Sequence, residues 1–325
     1  MKIKTLKQPG FEEIVACHDE ASGLQAIIAI HSTELGPSLG GIRMYPYPGE
    51  KEALQDVTRL ARAMTFKNAA ARLKLGGGKA VILGDPNRDK SPKLFRAMGQ
   101  FVHKLGGRYY TAKDAGVITE DLIAIAQETP YVAGLPESMG GSGDPSPWTA
   151  QGILTGMRTC LKWKLKRTDF TNVKVAIQGL GHVGLGLAKL LHQEKAKLIF
   201  TDIYPAALQA AAKTIPAQTI GTHEILAVKT DILAPCALGG VINDQTIQNL
   251  NCSMIAGGSN NQLEDEAKHG RMLFEKGILY APDFILNSGG VINIYVRDIL
   301  KEKDPTPWIL KNRGLSGRNF SNFRR

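Results

Sequence analysis

Short apolar runs alternate with segments of helical periodicity along the first part of the chain. Between residues 50 and 68 the apolar side chains Leu54, Val57, Leu60 and Met64 recur at the spacing of one helix face. Short apolar runs bounded by Gly, Pro or Asp are typical of strands instead. The alternation predicts an α/β fold. The predicted strands are 13–18, 24–31, 79–83 and 108–112, and the predicted helices are 50–68, 92–105 and 119–127.

A linker separates this part from a second α/β pattern. Residues 134–147 contain four glycines and three prolines, which oppose regular structure. A long helix at 148–166 follows, and then a strand, a helix and another strand at 173–178, 185–193 and 198–201. The predicted organisation is a first domain at 1–133, a linker at 134–147, a second domain at 148–300 and a separate tail at 301–325.

Composition narrows the class of protein. The chain has 325 residues with 43% hydrophobic and 22% charged residues, as in an ordinary globular protein of roughly two domains. The first ten residues hold no apolar run typical of a signal peptide, and no apolar stretch is long enough to cross a bilayer. The four cysteines are far apart and show no metal-binding spacing. We therefore expect a cytoplasmic protein with no metal site and no membrane partner.

The net charge of +10 raises the question of nucleic-acid binding. Residues 301–325 hold seven Lys and Arg residues against two acidic ones, which is half of the excess. No basic patch with interleaved aromatic residues occurs elsewhere. The charge distribution therefore argues against a nucleic-acid partner.

Residues 64–79 carry the first candidate chemistry. They hold Lys67 and Lys79, joined by an Ala-rich turn and the glycines at 76–78. Apolar surroundings would disfavour the charged form of Lys79, and a lysine tuned in this way can act as a general base near neutral pH. A charged Lys67 suits a substrate carboxylate. A surface helix that ends in a glycine-rich turn with solvated lysines remains the alternative.

A glycine motif in the second part predicts a dinucleotide site. Gly179, Gly181 and Gly184 lie between a predicted strand and helix, and Asp202 ends the next strand. This is the context in which GxGxxG cradles a pyrophosphate at a helix N-terminus, while the acid binds the adenosine ribose. Because a 2′-phosphate would be repelled by the carboxylate, NAD is favoured over NADP. A glycine turn without a dinucleotide is the alternative. The residues between the glycines complete the predicted cofactor loop: His182 and Val183.

Two further polar positions follow predicted strands. Asp114 comes directly after the strand at 108–112, and sites in open α/β sheets gather at such carboxyl ends. Asn260 and Asn261 have amides suited to a nicotinamide carboxamide, or they cap a helix that begins at Leu263. Residues 279–290 are predicted to form a strand and a glycine turn.

Several motifs occur in an order that resembles a known enzyme family. Together they resemble the glutamate/leucine/phenylalanine/valine dehydrogenase family, most like its leucine dehydrogenases, over roughly residues 11–300. The resemblance implies an N-terminal α/β domain for substrate binding and oligomerisation, a Rossmann-type NAD-binding domain and a cleft between them. The motifs are LGPSLGGIRM at 35–44, MTFKNAA and LGGGK within 64–79, TAKD at 111–114, GxGxxG at 179–184, APCALGG at 234–240, SNNQ at 259–262 and NSGGVIN at 287–293.

The resemblance assigns roles to individual residues. Lys67 matches the lysine that holds the substrate α-carboxylate, and Lys79 matches the lysine that activates water or ammonia. Asp114 matches the carboxylate that moves protons to and from the substrate amine. Asn260 matches the nicotinamide ribose or amide site, and Thr149 lines the cleft. The implied reaction is the reversible oxidative deamination of an L-amino acid by NAD to a 2-oxo acid and ammonia, in a homo-oligomer.

The matching side-chain pocket is apolar. No extra lysine is evident to hold a γ-carboxylate, so the branched-chain amino acids leucine, valine and isoleucine are expected rather than glutamate, with phenylalanine as the alternative. One methylene is worth only about 1–3 kcal/mol of discrimination. The predicted pocket residues are Leu39, Gly40, Ala112, Val291 and Ile294.

The resemblance ends near residue 300. It implies long helices after the motif at 287–293, whereas residues 301–325 have a different, basic composition. Because Gly, Ser, Asn and Arg dominate the last fifteen residues, we expect poor order over 301–325. A dinucleotide-binding protein with little turnover is therefore the second functional hypothesis.

Overall fold

The chain forms two units, and each contains one six-stranded sheet. The structure, a computed structural model, describes residues 1–311. Met1–Asp144 and Ile294–Lys303 make up the first unit. The second unit consists of Pro145–Asn293 and the described residues from Asp304 onward.

The first unit has a mixed sheet in the order β1-β2-β3-β5-β4-β6. The pairs β1–β2, β2–β3 and β3–β5 are antiparallel, and the pairs β5–β4 and β4–β6 are parallel. The parallel half brings the carboxyl ends of β4 and β6 to one edge. The strands are β1 (Lys2–Leu6), β2 (Glu13–Asp19), β3 (Leu24–Ser32), β4 (Ser38–Tyr45), β5 (Gly76–Leu83) and β6 (Tyr109–Lys113).

Helices cover both faces of this sheet. α1 (Glu50–Ala70) packs Ala53, Val57 and Ala61 on one face. α2 (Pro92–His103) and α3 (Thr119–Ala126) enclose the larger core on the other face. All three helices lie where the sequence predicts them. The strands β1 and β4 have no counterpart among the predictions, because alternating lysines interrupt β1 and adjacent glycines interrupt β4.

The three glycines before Lys79 belong to a strand, so the alternative of a surface helix that ends in a glycine-rich turn is wrong. Gly76, Gly77 and Gly78 are buried residues of β5. A Cβ on Gly76 would lie 1.9 Å from the carbonyl oxygen of Ser32, and one on Gly77 would lie 2.1 Å from the backbone nitrogen of Thr65. The glycines are therefore required for close packing of β5 against β3 and α1.

The second unit has an all-parallel sheet in the order β12-β11-β10-β7-β8-β9. Strand order reverses between β7 and β10, which is the switch point of a Rossmann-type sheet. Buried apolar clusters lie on both faces. The strands are β7 (Lys174–Gln178), β8 (Lys197–Thr201), β9 (Ala217–Thr219), β10 (Thr230–Pro235), β11 (Cys252–Ile255) and β12 (Leu279–Tyr280). The first helices are α4 (Ser146–Lys164), α5 (His182–Gln193), α6 (Pro205–Ala212) and α7 (Glu266–Glu275).

The strand and glycine turn predicted over 279–290 are only partly present. The strand is limited to β12, and a turn at Asn287 and Ser288 joins two helices, α8 (Asp283–Leu286) and α9 (Gly289–Ile294), so the glycines themselves begin a helix. A Cβ on Gly289 would lie 2.0 Å from the carbonyl oxygen of Trp148 in α4. The glycines at this point permit helix-to-helix packing rather than a reversal of the chain.

A segment near the end of the described chain belongs to the first unit, although the sequence predicts 148–300 as one domain. Asp298 accepts hydrogen bonds from the backbone N–H of Gly134 and the hydroxyl of Ser142, both at 2.7 Å. Arg297 donates to the carbonyl oxygen of Ser142 and pairs with Glu137. These long-range polar contacts attach Ile294–Lys303 to the predicted linker.

The segment from Thr306 corrects part of the tail prediction. Thr306–Lys311 forms α10, whose Ile309 is buried. Asp304 accepts a hydrogen bond from the backbone N–H of Thr306 and so caps the turn. The remaining residues of the predicted tail, 312–325, lie outside the described residues. In the described part of the chain, no helix is long and apolar enough to cross a membrane.

Candidate functional site

Lys79 and Asp114 form an ion pair in the first unit. β4 separates their strands in the sheet, and Asp114 follows the carboxyl end of β6. Lys79 Nζ lies 2.7 Å from Asp114 Oδ2, and the side chains are 7% and 27% exposed. A buried amine therefore faces a carboxylate that still reaches solvent. At this distance a proton can pass between the two groups.

A third charged side chain, that of Arg43, joins this pair from the strand between them. Arg43 lies on β4, and its Nε is 3.2 Å from Asp114 Oδ2. Burial alone would raise the pKa of the Asp114 carboxyl, but the neighbouring charges of Lys79 and Arg43 outweigh burial and hold the pKa below its ordinary value. Asp114 is thus stabilised as a carboxylate, the form that accepts a proton.

Arg43 is itself held from the helical side of the sheet. Its Nη1 lies 3.0 Å from Asp56 Oδ2 on α1, and the Tyr47 hydroxyl donates to the same oxygen at 2.7 Å. Arg59 binds the other oxygen of Asp56 at 3.0 Å. Sequence reasoning assigned no role to Arg43, Tyr47 or Asp56. The only available signal was the presence of Arg43 inside the GGIRM motif.

The surroundings of Lys79 differ from the apolar environment that the sequence predicts. The side chain is buried, which excludes the alternative of a solvated surface lysine. Its amine nevertheless contacts the Asp114 carboxylate, and Arg43 also reaches that carboxylate. Asp114 therefore belongs to the immediate environment of the amine, and burial alone does not describe it.

Lys67 lies in the last turn of α1 and is half-buried. Two contacts attach this end of the helix to the strand that carries Lys79. Asn68 Nδ2 donates to the carbonyl oxygen of Gly76 at 2.6 Å, and Gly77 packs against the Thr65 backbone. The structure therefore fixes the helix end next to β5.

The predicted apolar pocket residues of the first unit lie on adjacent strands. Leu39 and Gly40 are buried on β4, and Ala112 is buried on β6, where it pairs with Gly41. A Cβ on Gly40 would lie 3.4 Å from the Met64 side chain and 1.8 Å from the carbonyl oxygen of Gly78. Any side chain at position 40 would therefore clash with the backbone of Gly78.

The other two predicted pocket residues lie on α9. Val291 is buried in the second unit, whereas Ile294 is half-buried and begins the segment that belongs to the first unit. Their contribution to a substrate pocket stays a prediction.

The glycine motif adopts the geometry of a dinucleotide loop. β7 ends at Gln178, and α5 begins at His182, directly after Gly181. Gly179 has a φ of +96°, which favours glycine. A Cβ on Gly184 would lie 2.0 Å from the carbonyl oxygen of Gly179, so this glycine permits the helix to pack on the turn. Gly181 and His182 are exposed and Val183 is half-buried, so the loop presents its backbone to solvent.

Asp202 is fixed beneath this loop by backbone groups. The N–H of Leu180 donates to Asp202 Oδ2 at 2.6 Å, and the N–H of Tyr204 donates to Oδ1 at 2.8 Å. A carboxylate oxygen accepts more than one hydrogen bond, so both oxygens retain capacity for ribose hydroxyls. Among the described residues, the buried Gln178 Oε1 and Ser259 Oγ have no hydrogen-bond partner. The exposed backbone of the loop, its Cβ-free positions and the acid fit a dinucleotide.

Asn260 is not a helix cap. α7 begins at Glu266, and the Asp265 side chain caps it by accepting from the N–H of Lys268. Asn260 is exposed, and its Oδ1 accepts a hydrogen bond from Asn287 Nδ2 at 2.7 Å. The competing interpretation as a capping residue is therefore wrong, because the helix begins later than the sequence indicates.

Thr149 lies in the first turn of α4. Its hydroxyl donates to the carbonyl oxygen of Pro145 at 3.0 Å and lies against Gly290. Its role as a cleft residue stays a prediction. In the described part of the chain, no group of three or more His, Cys, Asp or Glu side chains is arranged to hold a metal ion.

Comparisons with known proteins agree with this architecture. Residues 12–133 match the family described as Glu/Leu/Phe/Val dehydrogenase, dimerisation domain. Residues 201–299 match the family described as Glutamate/Leucine/Phenylalanine/Valine dehydrogenase. The two matches include the strands of Lys79 and Asp114 and the position of Asp202.

Individual relatives cover most of the chain. Leucine dehydrogenase from Thermoactinomyces intermedius is 51% identical over 87% of this chain and 77% of its own length. Phenylalanine dehydrogenase from Bacillus thermotolerans is 50% identical over 89% and 76%, respectively. The crystal structure of L-tryptophan dehydrogenase from Nostoc punctiforme is similar with a TM-score of 0.82 and 39% identity, covering 94% of this chain and 88% of that one. The chain therefore belongs to the glutamate/leucine/phenylalanine/valine dehydrogenase family.

Proposed function

We propose that this protein catalyses the NAD-dependent, reversible oxidative deamination of branched-chain L-amino acids, with leucine as the main substrate. The observation that carries the proposal is the Lys79–Asp114 pair, with 2.7 Å between Nζ and Oδ2. The reaction needs a base for water and a separate carboxylate for the amine, and this pair supplies both. The identity of 51% to a leucine dehydrogenase supports the choice of substrate.

The residues of the chain divide the proton transfers. Asp114, stabilised as a carboxylate, takes a proton from the substrate ammonium, so that the nitrogen lone pair can form the imine. Lys79, in its neutral form once Asp114 has taken up a proton, then acts as a general base for the water that attacks the imine carbon and gives a carbinolamine. Asp114 returns its proton to the carbinolamine nitrogen, the C–N bond breaks to release ammonia, and the hydroxyl group loses its proton to solvent as the 2-oxo acid forms. NAD, when bound, would supply the oxidant that removes the hydride from Cα.

Lys67 has the proposed role of holding the substrate α-carboxylate. Its helix end is tied to β5 by the Asn68 hydrogen bond, so the cation stands on a rigid element that also positions Lys79. A fixed carboxylate fixes Cα, and hydride transfer depends steeply on that position. An ammonium group provides the charge for this contact without needing a metal ion.

We propose NAD rather than NADP as the cofactor of this chain. The carboxylate of Asp202, held by Leu180 and Tyr204, binds the ribose hydroxyls and repels a 2′-phosphate. Ile203 and Tyr204 follow it without adding positive charge. In the proposed complex the pyrophosphate lies on the loop of Gly179, Gly181 and Gly184. His182 and Val183 complete the loop, and Asn260 and Thr149 contact the nicotinamide half.

The proposed substrate pocket is apolar and small. Leu39, Gly40 and Ala112 supply its apolar surface from the first unit's sheet. Val291 and Ile294 on α9 stay predicted pocket residues. These side chains present no cation to a γ-carboxylate, which favours leucine, valine and isoleucine over glutamate. Because a phenylalanine dehydrogenase is 50% identical, L-phenylalanine is the competing substrate.

The first unit matches a dimerisation domain, and we propose a homo-oligomer assembled through it. Small molecules are the other partners: the amino acid, the 2-oxo acid and ammonia. Light scattering on the purified protein measures the molar mass directly. A mass equal to that of one 35.2 kDa chain at assay concentrations would contradict the oligomer.

Purified protein tests the proposed activity. NADH formation is followed with L-leucine, L-valine, L-isoleucine, L-phenylalanine and L-glutamate, with D-leucine as the stereochemical control. The reverse reaction is followed with the 2-oxo acid of leucine, ammonia and NADH. We expect the highest kcat/KM with L-leucine and none with D-leucine. A higher kcat/KM with L-phenylalanine would make phenylalanine, not leucine, the main substrate. NADH binding without turnover of any of these substrates would contradict the enzyme function.

A further inference from the structure

We propose that Arg43 is a positioning residue for Asp114, because its guanidinium ties the Asp114 carboxylate to Asp56 on α1. The proposal deepens the proposed function and rests on it, since Asp114 is the group that moves the protons of the substrate amine. Arg43 is assigned no contact with substrate. Its effect is on where the carboxylate lies and when it is charged.

The geometry of the guanidinium supports this role. Nε lies 3.2 Å from Asp114 Oδ2 and Nη1 lies 3.0 Å from Asp56 Oδ2, so one planar group joins two carboxylates from different elements. Arginine presents its donors in a fixed fork, which sets direction as well as charge. The single amine of a lysine cannot keep both contacts in that arrangement.

The anchor on α1 is itself well fixed. Asp56 accepts from the Tyr47 hydroxyl at 2.7 Å and pairs with Arg59 at 3.0 Å. Burial would raise the pKa of Asp56, but these hydrogen bonds and the charges of Arg43 and Arg59 hold it below the ordinary value. Asp56 therefore remains an anion that restrains the outer end of Arg43.

The inner end acts where the chemistry is proposed. Arg43 and Lys79 both bind the same oxygen, Asp114 Oδ2. When Lys79 moves to act as a base, Arg43 continues to hold that oxygen. Without Arg43 the carboxylate, which is 27% exposed, is free to turn toward solvent. A misplacement of about 1 Å is enough to cost about 100-fold in rate.

Several titratable groups surround Asp114 and enter its pH dependence. Lys79 from β5 and Arg43 from β4 contact it directly, and Asp56 and Arg59 on α1 lie beyond Arg43. Tyr47, Tyr109 and the exposed Lys113 complete the set. The two cations closest to Asp114 are Lys79 and Arg43. Removing the positive charge of Arg43 therefore raises the pKa of Asp114, whereas removing the negative charge of Asp56 does not raise it.

The test compares Arg43→Gln, Arg43→Lys and Asp56→Asn with the wild type. The matched control is Arg88→Gln, which removes an arginine from an exposed pair with Asp85. We expect kcat with L-leucine to fall about 10- to 100-fold in Arg43→Gln while KM for NAD is unchanged. In Arg43→Gln, the acid limb of the pH profile of kcat/KM is also expected to move to higher pH. In Arg43→Lys, the acid limb is expected at the wild-type pH, while kcat recovers only in part.

Asp56→Asn separates the positioning effect of Arg43 from the effect of its charge. It frees the outer end of Arg43 and leaves its positive charge in place, so kcat falls severalfold and the acid limb does not move up. If both variants only lower the melting temperature and leave kcat and the limb of the folded protein unchanged, Arg43 is structural and the proposal is wrong. Arg88→Gln shows no change in any of these quantities.

A direct titration makes the test independent of turnover. The carboxyl carbon of Asp114 is followed by NMR in ¹³C-aspartate-labelled protein and assigned with Asp114→Asn. In folded Arg43→Gln, the titration of Asp114 is expected to move to higher pH than in the wild type, whereas in Arg43→Lys, which keeps the positive charge, it is expected to stay near the wild-type position. An unchanged titration in Arg43→Gln overturns the proposal. A changed titration in a protein that does not oxidise L-leucine supports the role of Arg43 and rejects the proposed function.

Discussion

Two aspartates follow strands in the two units, and the contrast between their partners separates chemistry from recognition. Asp114 is held by the side-chain cations of Lys79 and Arg43. Asp202 is held by the backbone N–H groups of Leu180 and Tyr204. The amine of Lys79 can change its protonation state and position, whereas a backbone amide does not ionise at neutral pH and is held in place by the chain. The first arrangement suits a carboxylate that changes state, and the second suits one that only recognises a ligand.

Removing the amine beside Asp114 gives the largest expected effect. In Lys79→Ala, kcat with L-leucine is expected to fall about 10²- to 10⁴-fold, the range for loss of a positioned acid–base group. Because the dinucleotide loop lies on the other unit's sheet, NADH binding measured by fluorescence is expected to stay near the wild-type value. The exposed Lys93→Ala is the matched control. Turnover near that of the control would remove Lys79 from the mechanism.

Removing the proposed substrate cation gives the next effect. Lys67→Ala is expected to raise KM for L-leucine and to lower kcat/KM about 100-fold, because the unanchored carboxylate leaves Cα out of position for hydride transfer. KM for NAD is expected to change little. Steady-state kinetics with each substrate varied in turn measure the split. If both constants for L-leucine match those of Lys93→Ala, the carboxylate contact is absent.

The pairing of Asp114 predicts a pH-dependent stability. Its folded-state pKa lies below the ordinary value of 3.8, so the ion pair contributes stability above that pH and loses it as pH falls through the lower, folded-state pKa. Asp114→Asn is expected to lower the free energy of unfolding by about 2 kcal/mol at neutral pH. The gap to the wild type narrows on acidification. Denaturant unfolding at several pH values measures it, and a constant gap down to the acid transition would contradict the assignment.

The smallest expected effect concerns the other aspartate. Asp202→Asn removes the charge that opposes a 2′-phosphate, so the ratio of kcat/KM for NAD to that for NADP is expected to fall about tenfold. The matched control is Asp231→Asn, whose carboxylate also accepts from a backbone N–H, that of Lys174 at 2.8 Å. An unchanged ratio in Asp202→Asn, or a wild type that prefers NADP, would contradict the proposed role of Asp202 in recognising the ribose.

Sequence reasoning succeeded where a signal was local. The periodicity of residues 50–68 predicted α1, and the GxGxxG motif with Asp202 predicted a strand, a loop and a helix in the right order. These features depend on residues within a few positions of one another. The same reasoning placed Asp114 at a strand end, next to which Lys79 lies.

It failed where the deciding contact came from a distant segment. A glycine-rich turn at Gly76–Gly78 remained open as the alternative, because the backbone of Ser32 and Thr65 that excludes a side chain there is remote in sequence. Arg43 and Asp56 were missed as partners for a related reason: β4 was not predicted, so nothing aligned Arg43 with α1. The attachment of Asp298 to Gly134 likewise depends on a fold that brings distant segments together.

The sequence by itself determined the α/β class, the glycine motif between strand and helix, and the candidate residues for the proposed chemistry. Periodicity, Cβ-free positions and ionisable groups are properties of single residues and their near neighbours, so they are readable without a structure. The tertiary structure alone decided that Lys79 and Arg43 bind one oxygen of Asp114, and that Asp56 restrains the far end of Arg43. Electrostatic interactions depend on distances between atoms, and only the packing of sheet and helix sets those distances.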